Sequence, residues 1–133
     1  MFTNKVIKIA ENTKYFGLKK IFTHKGQYKN KKCGDKISIE LIIKDNKFIS
    51  MRYETESCIY TQASASLIAK KIKIFNKLNF KKDYNLLKNS LSKNVVLNGK
   101  YGSFKDIFNK VNYKREDCIL LPLTAIIKVL KLK

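Results

Sequence analysis

Histidine, proline and arginine are nearly missing from this chain: His24 and Pro122 stand alone, and Arg52 and Arg115 are the only arginines among 29 basic residues. With a single histidine, and no Ser-His-Asp or paired-carboxylate arrangement around it, a conventional hydrolase is not indicated. His24 has no second histidine near it and reads as a solvated loop residue rather than a ligand. No stretch approaches the roughly 18 uncharged apolar residues of a membrane helix. Met1-Phe2-Thr3-Asn4-Lys5 lacks the charged-then-apolar plan of a secretory signal, so a cytoplasmic location is expected, with no membrane partner. The three cysteines, Cys33, Cys58 and Cys118, are few and odd in number. In a chain without an export signal that argues against a disulfide framework and for free thiols or metal ligands.

What the chain does have is lysine. The formal charge is +19 over 133 residues, and a basic surface ordinarily suggests phosphate neutralisation. Here the basic residues are almost all lysine, scattered through every segment together with Asn and Ile, which looks like compositional drift. A dedicated nucleic-acid surface more often uses arginine for bidentate contacts, interleaved with aromatics. Specific nucleic-acid binding is therefore not the expected role. Hydrophobic residues make up 44% and are spread along the whole length. Residues 1–133 are thus expected to form one domain able to bury a core without disulfide staples.

Residues 3–12 place Val6, Ile7, Ile9 and Ala10 at helical spacing, and Asn12-Thr13 and Gly17 break that helix. Between Leu18 and Lys32 a short strand followed by a loop is expected, with Gly26 interrupting. From Lys36, Ile37, Ile39, Leu41 and Ile43 alternate with polar residues. Asp45-Asn46 offers a turn, and Ile49, Met51 and Tyr53 alternate again, which predicts a β-hairpin with one buried face. After Cys58 the period lengthens. Ile59, Ala63, Leu67, Ile68, Ile72 and Phe75 form one stripe of a helix of roughly four turns, with Ser57 as its cap and small side chains in its first half. Further helices are expected from Asp83 to Ser92 and from Ser103 to Val111, capped by Asp83 and Ser103. A last helix runs from Asp117 to Leu130, where Pro122 fixes the start close to Cys118.

These elements suggest a meeting point. Cys33-Gly34-Asp35 leads into the first hairpin strand and Cys58 follows the second, so antiparallel pairing brings the two together. Cys58 and Cys118 both belong near helix N-termini, where free N–H groups favour an anion. Three thiols and the Asp35 carboxylate make four potential ligands, the number taken by tetrahedral zinc or by a small iron–sulfur cluster.

The run Cys33-Gly34-Asp35, the hairpin, Ser57-Cys58-Ile59-Tyr60-Thr61-Gln62-Ala63-Ser64-Ala65-Ser66 and then Arg115-Glu116-Asp117-Cys118-Ile119-Leu120-Leu121-Pro122 resembles the U-type iron–sulfur cluster scaffold proteins. That family comprises the N-terminal domain of NifU, IscU and SufU. Asn12-Thr13-Lys14-Tyr15-Phe16-Gly17 is similar to the family's Asn-Pro-Arg-Asn-x-Gly turn, with Thr13 in place of proline. The resemblance implies an α+β fold of the SufE/NifU type, a three-stranded antiparallel sheet with helices packed on one face. It also implies a site in which Cys33, Asp35, Cys58 and Cys118 bind a transient [2Fe-2S] cluster or Zn2+. Its partners would be a cysteine desulfurase, which delivers sulfur, and recipient apo-proteins, with Cys118 as persulfide acceptor. Asp117 stands where IscU members carry histidine, and the proline-rich chaperone motif is missing around Val111 to Arg115. Arg115 instead resembles the SufU branch, in which an arginine supports the site and zinc is commonly bound. A zinc-dependent sulfurtransferase and a basic binding module on the same fold are the alternatives to a non-enzymatic scaffold.

Overall fold

The computed structural model describes residues 4–32, 34–93 and 95–131, so Cys33 lies outside the described residues. The hairpin follows from its alternation. Strands β2 (Lys36–Lys44) and β3 (Lys47–Glu56) pair antiparallel, with Lys36 opposite Glu56 and Lys44 opposite Lys47. Asp45 and Asn46 turn the chain with φ of 52° and 65°, the paired left-handed conformation of a tight hairpin turn that Asp and Asn tolerate. Strand β1 (His24–Lys29) adds antiparallel to the free edge of β2, giving the order β1-β2-β3. Ile37, Ile39, Leu41, Phe48, Met51 and Tyr53 are buried on the inner face; a bulge where Ile42 pairs Ser50 but Ile43 pairs Phe48 puts Phe48 there in place of the expected Ile49, which is 42% exposed. Helices α2 (Ile59–Lys70) and α4 (Glu116–Val129) cover that face, α2 over β3 and α4 over β1 and β2. Helix α1 (Asn4–Ala10) lies against α2, and α3 (Phe80–Ser92) against α4. Among the described residues no helix is long and apolar enough to cross a membrane.

The order expected between Leu18 and Lys32 is reversed: the loop comes first and the strand second. Residues 14–20 are claimed by the outer face of the sheet. Glu40 and Arg52 are direct cross-strand partners there, yet each engages the backbone of this loop. Glu40, only 4% exposed, accepts the N–H groups of Lys19 (2.8 Å) and Lys20 (3.0 Å). Arg52 donates to the carbonyls of Lys14 (3.1 Å), Phe16 (2.8 Å) and Gly17 (2.9 Å). A buried carboxylate with two N–H partners is compensated for its lost hydration. Gly26, expected to interrupt a strand, sits inside β1 because α4 passes so close that a Cβ there would lie 2.6 Å from Val129 Cγ2. His24 opens β1, half-buried, with Nδ1 2.9 Å from Thr23 Oγ1, and is not a loop residue.

Three helical expectations change. The long helix after Cys58 stops at Lys70 and gives way to a 3-10 turn at Ile72–Ile74. Phe75 then becomes extended and inserts into an aromatic cluster with Phe80 (5.4 Å between ring centroids) and Phe104 (6.0 Å). Helix α3 begins at Phe80, after Asn79, so Asp83 is not its cap. No α-helix forms over Ser103 to Val111, where 3-10 turns ending at Phe104 and starting at Lys110 are joined by irregular turns. The amides of Asn109 and Asn112 donate to the carbonyls of Lys105 (2.8 Å) and Ile107 (2.9 Å), giving the backbone an alternative to helical bonding.

Asp83 has another task. It is buried and accepts a hydrogen bond from the Tyr101 hydroxyl, tying α3 to the 3-10 turn at Gly99–Phe104. Burial, then the hydrogen bond to Asp83 and its negative charge, push the Tyr101 hydroxyl from the ordinary 10.0 up to about 12. The folded value lies above the unfolded one, so the contribution of the neutral hydroxyl is complete below pH 10.0 and is lost as pH rises through about 12. A tyrosinate absorbance titration should therefore contain a component near pH 12 that disappears in Tyr101→Phe. A profile that the substitution leaves unchanged would rule this pairing out.

Candidate metal centre

The connection from β1 to β2 is closed by its own backbone. Asn30 N–H donates to the Asp35 carbonyl (2.8 Å), Gly34 N–H to the Asn30 carbonyl (2.8 Å), and Lys32 N–H to Asn30 Oδ1 (2.8 Å). Gly34 has φ of +79°, a conformation that glycine adopts without strain. This turn delivers the half-buried Asp35 to the start of β2 and holds its carboxylate beside the beginning of α2.

At that beginning the expected Ser57 cap is not used. Cys58 itself is the N-cap residue, extended at φ −71° and ψ 168°, without a side-chain capping bond. Asp35 serves from outside the helix: its Oδ2 accepts the Cys58 N–H at 3.3 Å and the Thr61 hydroxyl at 3.1 Å. A carboxylate at this end suits the helix dipole. Ser57 accepts from the Thr55 hydroxyl (2.8 Å), and its carbonyl accepts from Gln62 Nε2 (2.9 Å).

Cys118 lies in the first turn of α4 and is buried, 7% exposed, whereas Cys58 is half-buried. Pro122 falls in the interior of α4, four residues after Cys118. Having no N–H, it cannot serve the Cys118 carbonyl, and its ring crowds that oxygen. Helix α2 supplies a donor in its place. The Thr61 hydroxyl reaches the Cys118 carbonyl at 2.8 Å, and the Ser64 hydroxyl reaches the Ile119 carbonyl at 2.6 Å. Ser66 donates to the Asn12 carbonyl at 2.7 Å. The run of small residues thus does more than let elements approach closely: its buried hydroxyls tie α2 to α4 and to the segment that follows α1. Thr61 Oγ1 is also 3.9 Å from Cys58 Sγ.

The consequence is convergence. One ligand-type atom each from Asp35, Cys58 and Cys118 lie within 4.8 Å of one another. Tetrahedral zinc with Zn–S near 2.3 Å needs ligand atoms roughly 3.5–4 Å apart, so small side-chain rotations close the difference. Two thiols and a carboxylate suit zinc or iron, with the carboxylate the harder and more exchangeable donor. Cys33, expected in the same set, lies outside the described residues. Arg115 is exposed, immediately precedes α4, and stacks its guanidinium over the Tyr60 ring at 5.5 Å, bracing the start of α4 on the first turn of α2. Asp117 forms a solvent-exposed ion pair with Lys32 at 3.5 Å, an interaction of little energetic weight. Thr61 was not among the residues that sequence reasoning selected, although Pro122 placed four residues after Cys118 signals a carbonyl in need of a donor.

The model of the NifU-like N terminal domain matches residues 1–82, well over half of the chain. The chain belongs to the NifU-like N-terminal domain family. The matched region contains Asp35 and Cys58 and ends before α4. Two solved structures carry the likeness through the rest of the chain. The N-terminal part of a nitrogen-fixing NifU-like protein from Brucella abortus superposes with a TM-score of 0.84 at 19% identity, covering 97% of this chain and 91% of that one. A putative iron–sulfur cluster assembly scaffold protein for the SUF system from the thermophile Fervidobacterium islandicum AW-1 gives 0.81 at 21% identity, covering 97% and 96%. At these identities the likeness establishes the fold, and the sheet with helices on one face agrees with it. No curated protein matches the sequence significantly.

Proposed function

We propose that residues 1–133 form one NifU N-terminal-like domain that acts as an iron–sulfur cluster assembly scaffold. It accepts sulfur from a cysteine desulfurase and holds iron, or a transient [2Fe-2S] cluster, through Cys33, Asp35, Cys58 and Cys118 before release to recipient apo-proteins in the cytoplasm. The observation that carries this reading is the convergence of Asp35, Cys58 and Cys118 from three separate elements in a member of the NifU-like family. The Fervidobacterium relative, described as a putative scaffold for cluster assembly, points the same way.

In the sulfur step the Cys118 thiolate attacks the terminal sulfur of the donor's persulfide. The S–S bond to the donor breaks, the donor leaves as a thiolate, and Cys118 carries the sulfur. Of the two described thiols Cys58 is the more exposed and is therefore the control for this assignment. Arg115, stacked on Tyr60, supports the site by keeping the first turns of α2 and α4 together. A ligand set that includes one carboxylate suits a scaffold, because a harder oxygen donor binds iron less tenaciously than a fourth thiolate.

The test is elemental analysis for iron, zinc and acid-labile sulfide on protein purified without oxygen, beside the Cys118→Ala and Cys58→Ala variants. Iron with sulfide, lost in the variants, supports the scaffold. Zinc near one per chain, lost in the variants, replaces it with a zinc-dependent sulfur acceptor. Absence of both, persisting after anaerobic reconstitution, overturns the site and leaves a basic binding module as the reading.

A further inference from the structure

We propose that Thr61 is a positioning residue of this centre, holding Cys118 and Asp35 in register with each other, and that Pro122 creates the need for it. The inference rests on the metal-binding reading above. Thr61 is fully buried in the first turn of α2, and its hydroxyl stands at the middle of the cluster: 2.8 Å from the Cys118 carbonyl, 3.1 Å from Asp35 Oδ2 and 3.9 Å from Cys58 Sγ. A threonine hydroxyl has one proton to give, and two oxygens compete for it. The Cys118 carbonyl cannot receive the usual helical bond from four residues on, because residue 122 is proline. Taking the Thr61 hydroxyl away from that buried carbonyl would be unfavourable, and relief would come by rotating the first turn of α4, which carries Cys118.

Thr61 prevents that rotation from α2, the helix that also begins with Cys58. It touches Asp35 at the same time, so one hydroxyl relates the three described candidate ligands. A cation that takes up the Asp35 charge weakens the carboxylate's claim on the hydroxyl proton and leaves more of it to the Cys118 carbonyl. Loading the site and fixing the start of α4 are then coupled. Ser64 repeats the contact one turn later on the Ile119 carbonyl but reaches none of the described ligands, so the positioning role falls to Thr61.

The experiment is anaerobic Co2+ titration of metal-free wild type, Thr61→Val, Thr61→Ser, Pro122→Ala and the Thr61→Val/Pro122→Ala double variant, followed by thiolate-to-cobalt absorption. Urea unfolding of the same metal-free proteins accompanies it. Thr61→Val is nearly isosteric and is expected to weaken Co2+ binding about 10- to 100-fold, as for other partners that orient a ligand. Thr61→Ser, which keeps the hydroxyl, should restore wild-type behaviour. In the metal-free protein that retains Pro122, Thr61→Val should raise the unfolding constant roughly tenfold. It should do so much less in the Pro122→Ala background, where the alanine N–H can serve the carbonyl within the helix. Wild-type Co2+ affinity in Thr61→Val, or equal stability losses in the two backgrounds, overturns the proposal while leaving the metal centre intact. A wild-type protein that binds no Co2+ overturns the metal reading, and the proposal falls with it.

Discussion

Zinc added to the metal-free protein is expected to raise its unfolding midpoint, and replacing Cys118 with alanine is expected to abolish that rise. The described candidate ligands come from the start of β2, the cap of α2 and the first turn of α4, elements distant in sequence that the unfolded chain does not hold together. A cation that binds only the folded arrangement stabilises it by mass action, about 2.7 kcal/mol when its free concentration is one hundred times the dissociation constant. For a domain of this size that is roughly 10 °C. Cys118→Ala and Cys58→Ala should each cost much less than this without metal, because a small thiol contributes only its packing. The difference between metal-loaded and metal-free protein is therefore the diagnostic quantity, read by thermal unfolding with and without a chelator. Equal losses in both states would remove the substituted cysteine from the ligand set.

The largest purely structural effect is expected from Phe80→Ala. Phe80 is wholly buried at the first position of α3, with ring centroids 5.5 Å from Phe48 and 5.4 Å from Phe75. The cluster continues through Phe104 to Phe108. Removing the ring loses its transfer free energy and leaves a cavity that rigid neighbours close only in part, about 3–5 kcal/mol in comparable cores. The urea midpoint should fall with little change in slope, whereas Phe22→Ala, at an exposed position, should shift stability by less than about 0.5 kcal/mol. A loss under about 1 kcal/mol for Phe80→Ala would contradict the packing described. Phe48 sits beside the hairpin turn and Asp35 beside the opposite end of the same hairpin, roughly 25 Å away along the strands. Zinc should accordingly stabilise Phe80→Ala as much as it stabilises wild type, which separates damage to the core from damage to the centre.

Which parts were legible in the sequence follows from how locally each is determined. The hairpin was, because the alternation through Ile37, Ile39 and Leu41 and the Asp45-Asn46 turn both call for one; its register near the turn was not, because a bulge opposite Ile42 and Ile43 turns Ile49 outward and buries Phe48 in its place. Helix α4 was, because Ile119, Leu123 and Ile126 lie on one stripe. Strand β1 was not: His-Lys-Gly-Gln-Tyr-Lys carries almost no apolar alternation, and its place is set by the free edge of β2 and by α4 lying over Gly26. The segment from Ser103 to Val111 misled because Phe104, Ile107, Phe108 and Val111 have helical spacing. The Asn109 and Asn112 amides divert two carbonyls, and Val111 ends 87% exposed. At the candidate centre, the residue types and their order drew attention to the cysteines and Asp35. Thr61 escaped notice because its role depends on a proline in another helix, a relation visible only when α2 and α4 are seen side by side.

The loop laid across the outer face of the sheet also bears on how this lysine-rich chain meets a protease. Trypsin needs lysine side chains within reach, and Lys14, Lys19 and Lys20 are exposed. It also needs the surrounding main chain to open out so that its N–H and C=O groups can pair with the enzyme. Here the carbonyl of Lys14 is bound to Arg52 and the amides of Lys19 and Lys20 to Glu40. Early digestion of the folded protein should therefore spare these bonds and score the chain elsewhere, since an exposed side chain and an available backbone are separate properties.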